Sequence, residues 1–178
     1  MAAALDTWTT NRILFQSHVE RAIARQRGSR KQLALIYVDL DRIGQVNHAV
    51  GQEFGDQVLV QAAARLAAAL GGHAMPTRVA PDDFLALVEV ADFDAAMRLI
   101  GQLLERCREP YIVDCLALKV TASIGFSLFP SQADDAAGLM QRAERALYRA
   151  KIAGRDCCYP GGITCSAGIA RPPRTGRG

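Results

Sequence analysis

Residues 33–66, LALIYVDLDRIGQVNHAVGQEFGDQVLVQAAARL, decide the fold. The first six, residues 33–38, are a continuous apolar run rich in strand-forming side chains, which is typical of a strand buried on both faces. Asp39 and Asp41 follow where that strand ends. Residues 54–70 carry apolar side chains at helical spacing and stop at a pair of glycines. A buried strand followed by a helix, with carboxylates between them, indicates a fold that mixes helices and strands.

The rest of the chain extends this pattern on both sides. Helical periodicity covers residues 11–27, 92–108 and 135–153, and strand-like stretches cover residues 75–79, 84–90, 111–113 and 117–129. This order predicts an α/β (α+β) sandwich with a mixed sheet, because hairpin-linked strands run antiparallel and helix-linked strands can run parallel. Residues 160–178 are rich in glycine, proline and arginine and have no periodicity, so we expect a domain over 1–159 and a flexible tail.

Composition excludes several classes of protein. The chain has 178 residues, half of them apolar, which suits one domain with a real core. No apolar run is long enough for a membrane segment, and the first residues do not resemble a signal peptide. The net charge of +3 comes from three arginines near the end, so the body is neutral and a nucleic-acid-binding role is disfavoured. An odd number of cysteines without a CxxC pair is typical of reduced thiols in a cytoplasmic protein.

Four carboxylates are candidates for a metal site. Asp39 and Asp41 provide the hard oxygen ligands that Mg²⁺ prefers, although aspartates at strand ends also start turns and cap helices. Asp82 and Asp83 occupy the short turn between two strand-like stretches, where aspartate is also common for ordinary reasons. An aspartate pair leaving a buried strand, combined with an acidic hairpin, is an arrangement that can clamp a metal–nucleotide complex from two sides.

Two cations near the end of the last predicted helix are candidates for binding phosphate. Lys151 and Arg155 are four residues apart, which places them on one side of a helix end. Their ordinary structural alternative is a favourable interaction of positive charge with the C-terminal end of the helix. Spacing alone does not separate these two interpretations.

Taken in order, these stretches resemble the GGDEF domain, the diguanylate cyclase family of bacterial cyclic-di-GMP signalling. The resemblance extends from Asp6 to Arg155 and is carried by three segments: YVDLDRIGQVNHAVGQEFGDQVLVQAAARL, VTASIGFSLFP, and DDAAGLMQRAERALYRAKIAGRD with its ALYxAKxxGR ending. DTWTTNR, at residues 6–12, resembles a shortened form of the family's DxLTGLPNR. The resemblance implies a central five-stranded mixed sheet flanked by helices, like the palm of polymerases and class III nucleotide cyclases.

The resemblance also implies a metal site and its cofactor. Asp39 matches the first metal-binding carboxylate, the carbonyl of Leu40 matches a further ligand, and Asp82 matches the second carboxylate. Asp83 matches the catalytic glutamate of the family's signature. The implied cofactor is Mg²⁺, or Mn²⁺ in its place, bound together with nucleotide.

The implied nucleotide is GTP, and four residues match the positions that hold it. Asn47 and Asp56 match the residues that bind the guanine base, which suits an aspartate that accepts from guanine N–H groups and an asparagine that both donates and accepts. Lys151 and Arg155 match the residues that hold the triphosphate. Arg78 matches the arginine two residues before the signature.

The signature departs from the family pattern. Residues 80–84 are Ala-Pro-Asp-Asp-Phe where the family has Gly-Gly-Asp/Glu-Glu-Phe. Pro81 cannot adopt positive φ and lacks an N–H, so we expect the hairpin to persist with a changed turn. Asp83 is one methylene shorter than glutamate, and Gly44 replaces a lysine that the family usually has near the phosphates. Residues 71–74 lack the RxxD motif of product inhibition.

These departures predict a degenerate GGDEF domain that is catalytically impaired. It would bind GTP, or act as a regulatory module, for an attached or partner domain such as a sensor or an EAL phosphodiesterase domain. One alternative is an active diguanylate cyclase in which a homodimer condenses two GTP molecules. The other is a dimerisation scaffold that binds no nucleotide.

Overall fold

The computed structural model describes residues 2–26, 28–72 and 74–162 of the chain. Its helices are α1 (Ala2–Gln26), α2 (Ile43–Val50), α3 (Gln52–Ala69), α4 (Phe93–Arg108) and α5 (Ala136–Ile152). Its strands are β1 (Gln32–Leu40), β2 (Thr77–Arg78), β3 (Asp83–Val90), β4 (Tyr111–Val113), β5 (Leu116–Leu118), β6 (Ala122–Phe129) and β7 (Cys158–Pro160).

The main sheet has five strands in the order β2-β3-β1-β6-β7. Strand β1 lies at its centre and pairs antiparallel with both β3 and β6, whereas β6 and β7 are parallel. Strands β4 and β5 form a separate hairpin. The predicted mixed sheet of five strands is therefore confirmed.

Both faces of the sheet are covered by helices, which explains the uninterrupted apolar run of β1. Alternate side chains of a strand point to opposite faces. Those of Ala34, Ile36 and Val38 join the core that contains α3 and α4, and those of Leu35 and Tyr37 join the core that contains α1 and α5. The predicted sandwich is confirmed, and odd-numbered positions of β1 share one face.

The strands differ in detail from those expected from the sequence. The stretch at residues 117–129 divides into β5 and β6, and β4 pairs with β5 rather than with the main sheet. The fifth strand of that sheet is β7, whose last residue, Pro160, was expected to begin the tail. Three residues of parallel pairing are too short to produce a periodic pattern in a sequence. Residues 163–178 of the expected tail lie outside the described part of the chain.

Helix α4 begins at Phe93, close to the expected start, and its N-cap is Asp92, whose side chain accepts a hydrogen bond of 2.7 Å from the backbone N–H of Ala95. Side-chain caps of this kind satisfy an N–H that the helix leaves unpaired. Within the described ranges, no helix combines the length and the apolar character that a bilayer crossing requires.

Candidate metal and nucleotide site

Three carboxylates converge at the end of β1. The antiparallel register places Asp39 directly opposite Asp83, and Asp82 immediately precedes Asp83 at the start of β3. Each of the three offers an oxygen within 4.8 Å of the others. The backbone N–H of Leu40 donates to the carbonyl of Asp82 over 3.1 Å and holds the hairpin against β1. The structure thus brings together the carboxylates that the resemblance assigned to metal and catalysis.

Lys151 supplies positive charge to this cluster. Its Nζ lies 2.5 Å from Oδ2 of Asp39, from the last turn of α5. Three carboxylates facing this ammonium leave uncompensated negative charge when all are ionised. The predicted phosphate-binding lysine is therefore at the site, paired with a carboxylate.

Burial governs the electrostatics of the cluster. The side chain of Asp39 is almost fully buried, and desolvation raises its pKa to about 7 against the opposing effect of Lys151. Burial also raises the pKa of Asp82, and the nearby charge of Asp39 adds to the shift. These carboxylates are held close together in a place where their negative charge is costly, as happens where a cation is bound.

The residues present fit a divalent cation. The oxygen Oδ1 of Asp83 is buried and accepts no hydrogen bond within the described ranges. Burying a carboxylate oxygen without a hydrogen-bond donor costs free energy unless a positive charge contacts the oxygen. Three converging carboxylates are hard oxygen ligands, which suit Mg²⁺ or Mn²⁺.

Asp41 does not belong to the cluster. Its carboxylate accepts hydrogen bonds from Thr121 Oγ1 at 2.6 Å, from Ser123 Oγ at 2.7 Å and from the backbone N–H of Asp156 at 3.1 Å. It does not cap the next helix either, because α2 has Arg42 at its N-cap position and no side-chain cap. Asp41 instead joins the end of β1 to β6 and to the segment after α5.

Arg155 lies beside Asp41 rather than in the carboxylate cluster. Its Nε is 3.9 Å from Oδ1 of Asp41, and its backbone has a left-handed φ of 66°. Its backbone N–H donates to the carbonyl of Ala150 over 3.0 Å. The guanidinium is partly exposed at the end of α5, so its assignment to the triphosphate stays a prediction.

Arg78 connects the carboxylate cluster with the predicted guanine site. Its guanidinium donates to the carbonyl of Pro81, with Nε at 3.1 Å, and interacts electrostatically with Asp56 and Asp82. Its own carbonyl accepts from Nδ2 of Asn11 at 2.9 Å. Asp56 and Asp82 therefore face a shared cation.

Gly55 determines where Asn47 lies. A Cβ atom at residue 55 would come within 1.7 Å of Asn47 Oδ1, so the asparagine occupies space that only glycine leaves open. This oxygen is buried and has no hydrogen-bond partner within the described ranges. Asp56, the next residue, is exposed near the start of α3. The Gly-Asp pair of the sequence thus places the amide of Asn47 beside α3.

The signature hairpin persists, with a turn that suits its proline. The backbone N–H of Val79 donates to the carbonyl of Asp83 over 3.0 Å, and β2 pairs with β3 next to it. No residue of the turn, 80–82, has positive φ. This turn suits Pro81, because the proline ring fixes the φ of that residue near −65°.

Sequence reasoning missed Tyr37, which contacts the cluster, and Arg12, which contacts Tyr37. The hydroxyl of Tyr37 donates to Oδ2 of Asp83 over 3.2 Å, and the hydroxyl oxygen accepts from Nη1 of Arg12 over 3.2 Å. One signal was present: a tyrosine two residues before Asp39 on the same strand shares its face. Arg12 is distant in sequence, and its contact follows only from the fold.

Known proteins resemble this chain in sequence and in fold. Residues 3–157 match the family described as "Diguanylate cyclase, GGDEF domain". A solved structure of the GGDEF domain of PA1120 (YfiN or TpbB) from Pseudomonas aeruginosa superposes with a TM-score of 0.81 at 28% identity, covering 86% of this chain and 96% of that one.

Two curated relatives from Pseudomonas aeruginosa are much longer than the chain. The bifunctional diguanylate cyclase/cyclic di-GMP phosphodiesterase MucR is 30% identical over 88% of this chain and 23% of its own length. The cyclic di-GMP phosphodiesterase NbdA is 31% identical over 80% of this chain and 18% of its own length. The chain spans about a fifth of these relatives.

Proposed function

This chain belongs to the GGDEF domain family, and on that basis we propose that it binds GTP with Mg²⁺ but is impaired in forming cyclic-di-GMP. Its role would be regulatory: nucleotide binding would modulate an attached or partner domain in the cytoplasm. The observation that carries the proposal is the convergence of Asp39, Asp82 and Asp83 beside Lys151, next to a hairpin turn that contains Pro81.

The metal would be held by Asp39 and Asp82, with the carbonyl of Leu40 as a further ligand. A bound Mg²⁺ ion supplies positive charge against phosphate oxygens. Asp83, which lies opposite Asp39 in the register of β1 and β3, would be the catalytic carboxylate. Lys151 is close enough to the carboxylates to exchange part of its contact with Asp39 for a phosphate oxygen.

The guanine base would be held by Asn47 and Asp56. Arg78 interacts with Asp56 and Asp82 together, which supports a nucleotide lying between them with its base toward α3 and its phosphates toward β1. Arg155 would reach the outer phosphates only after leaving Asp41.

The impairment would come from the hairpin. Pro81 supplies no backbone N–H, its carbonyl engages the guanidinium of Arg78, and the turn contains no left-handed residue. Asp83 is one methylene shorter than the family's glutamate, and misplacement of a reacting group by about 1 Å can cost about a hundredfold in rate. These changes would leave the proposed base and metal contacts in place and would alter the part of the site nearest the transferred phosphate.

The first test is a titration of the chain with GTP in the presence of Mg²⁺, followed calorimetrically. We expect saturable binding that Asp56→Ala weakens at least about tenfold, because guanine loses its charged acceptor. The matched control is Asp94→Ala, which removes an exposed aspartate near the start of a different helix, α4. If the parent chain and Asp56→Ala bind GTP with equal affinity, the assignment of Asp56 to the guanine base is wrong.

An active diguanylate cyclase is the second candidate. It is favoured by the retained convergence of all three carboxylates. Such an enzyme would pair two GTP-loaded subunits as a homodimer, with each 3′-OH attacking the α-phosphate of the other nucleotide. Release of cyclic-di-GMP would select this candidate, and the absence of any GTP binding would select the nucleotide-free dimerisation scaffold.

A further inference from the structure

We propose that Tyr37 is a positioning residue that fixes the orientation of Asp83, and that Arg12 in turn fixes Tyr37. The effect of this arrangement on the cation rests on the proposed function, whereas the arrangement itself concerns only side chains of this chain. It links α1, the central strand and the signature hairpin through two consecutive hydrogen bonds.

The strand register brings Tyr37 to Asp83. Tyr37 lies opposite Leu85, and Asp39 lies opposite Asp83. Tyr37 is therefore the diagonal neighbour of Asp83 on the same face of the sheet, a separation that aromatic side chains span. Its hydroxyl reaches Oδ2 of Asp83 at 3.2 Å.

The direction of the two hydrogen bonds is determined by their chemistry. A guanidinium has donors only, so the 3.2 Å contact with Arg12 Nη1 uses the hydroxyl oxygen of Tyr37 as acceptor. The single proton of the hydroxyl is then directed at Asp83. A tyrosine hydroxyl is protonated at neutral pH and has only this one proton to donate.

Arg12 is itself held in place by a third element. Its Nη2 lies 3.0 Å from Oε2 of Glu144 on α5, and its guanidinium carbon is 6.0 Å from the centre of the Tyr37 ring. The ring is only 5% exposed. Tyr37 is therefore confined by contacts from α1 and by burial under α5, so its hydroxyl has little freedom to turn away.

This arrangement gives the two carboxylate oxygens of Asp83 different surroundings. Oδ2 is occupied by Tyr37, whereas Oδ1 is buried and accepts no hydrogen bond from any residue that the structure describes. A carboxylate held by one oxygen keeps the other in a fixed direction. Tyr37 would thereby hold Asp83 within the carboxylate cluster despite its shorter side chain.

The experiment compares Tyr37→Phe with the parent chain. Mn²⁺ alone is the probe, and the electron paramagnetic resonance signal of free Mn²⁺ reports binding without nucleotide or turnover. Loss of one hydrogen bond to a carboxylate should weaken Mn²⁺ binding roughly three- to tenfold. Arg12→Ala should weaken it by a smaller factor, because the tyrosine remains. An unchanged Mn²⁺ affinity in Tyr37→Phe would overturn the proposed effect on the cation.

The matched control is Tyr111→Phe. Tyr111 is also fully buried, and its hydroxyl has no hydrogen-bond partner among the residues described, but it lies in the core on the α3/α4 side of the sheet. Loss of this hydroxyl should leave Mn²⁺ affinity unchanged.

In an Asp83→Ala background, Tyr37→Phe should cause no further loss of Mn²⁺ affinity. A further loss there would show that Tyr37 acts by another route.

A second measurement separates this inference from the proposed function. The carboxyl carbon of Asp83, followed by ¹³C NMR without any cation, should change its chemical shift in Tyr37→Phe and not in Tyr111→Phe. An unmoved signal would overturn the positioning role whatever the Mn²⁺ result. A moved signal in a chain that binds no Mn²⁺ would keep the positioning role and reject the cation site.

Discussion

At the residue scale, Asp39 and Asp41 are separated by one residue and have different roles. Asp39 joins the carboxylate cluster, whereas Asp41 is buried among hydroxyl and backbone donors. The sequence pattern DxD does not distinguish them. The difference arises because Thr121 and Ser123, which come from β6 and the residue just before it, meet Asp41 only in the folded chain.

Asp41→Ala should destabilise the fold. The substitution leaves the hydroxyls of Thr121 and Ser123 and the backbone N–H of Asp156 without their acceptor, which should cost about 2–4 kcal/mol of unfolding free energy. Urea unfolding measures this loss. Asp39→Ala is the control and should lower the unfolding free energy by less, because it removes a buried charge. A larger loss for Asp39→Ala would contradict the assignment.

Gly55→Ala should weaken GTP binding while leaving the fold intact. The added Cβ would lie 1.7 Å from Asn47 Oδ1, the end of a flexible side chain, so the asparagine must move and its amide leaves the guanine site. We expect at least about a tenfold loss of affinity. Gly101→Ala on α4 is the control, because a Cβ there meets nothing within 4 Å. Equal GTP affinity in both variants would contradict the role of Gly55.

The pH dependence of stability should reveal Asp39. Burial raises its pKa to about 7 without metal, so the protonated form stabilises the fold. That contribution is fully present below the unfolded pKa of about 4 and is lost as pH rises through about 7. Asp39→Asn removes the charge, so its unfolding free energy relative to the parent should rise between about pH 4 and about pH 7, measured with cations chelated. Parallel curves for the two proteins would contradict this origin of the shift.

At the scale of elements, the signature hairpin shows how one residue type selects a turn. Pro81 cannot adopt positive φ, and the turn at residues 80–82 contains no left-handed residue. The sequence predicted this outcome because proline restricts the backbone in every context. The sequence did not predict β7, because three residues of parallel pairing depend on the position of β6 rather than on local pattern.

Restoring the signature should raise cyclase activity. Ala80→Gly and Pro81→Gly, combined with Asp83→Glu, return the backbone freedom and side-chain length of the family pattern. We expect at least about a tenfold increase in cyclic-di-GMP formation, measured chromatographically. The same substitutions with Asp39→Ala serve as the control. If cyclic-di-GMP formation does not increase over that of the parent, the impairment comes from Gly44 or from the dimer instead.

At the scale of the whole molecule, the sheet could be predicted from the sequence, whereas many of the side-chain contacts within the site could not. An apolar run with no alternation already implies a strand covered on both faces, and the cores on the two sides of β1 confirm it. The pairing of Lys151 with Asp39 joins residues 112 positions apart. Spacing suggested a phosphate-binding cation there, but only the packing of α5 on β1 and β6 shows which carboxylate it meets.

One experiment measures both nucleotide binding and product, and it decides between an impaired GTP-binding domain and an active cyclase. The concentrated chain is incubated with GTP and Mg²⁺, and then with Mn²⁺, and bound and free nucleotides are separated chromatographically. We expect GTP binding without cyclic-di-GMP above the level of an Asp39→Ala control. Cyclic-di-GMP above that level, or no bound GTP from folded protein, would contradict this expectation.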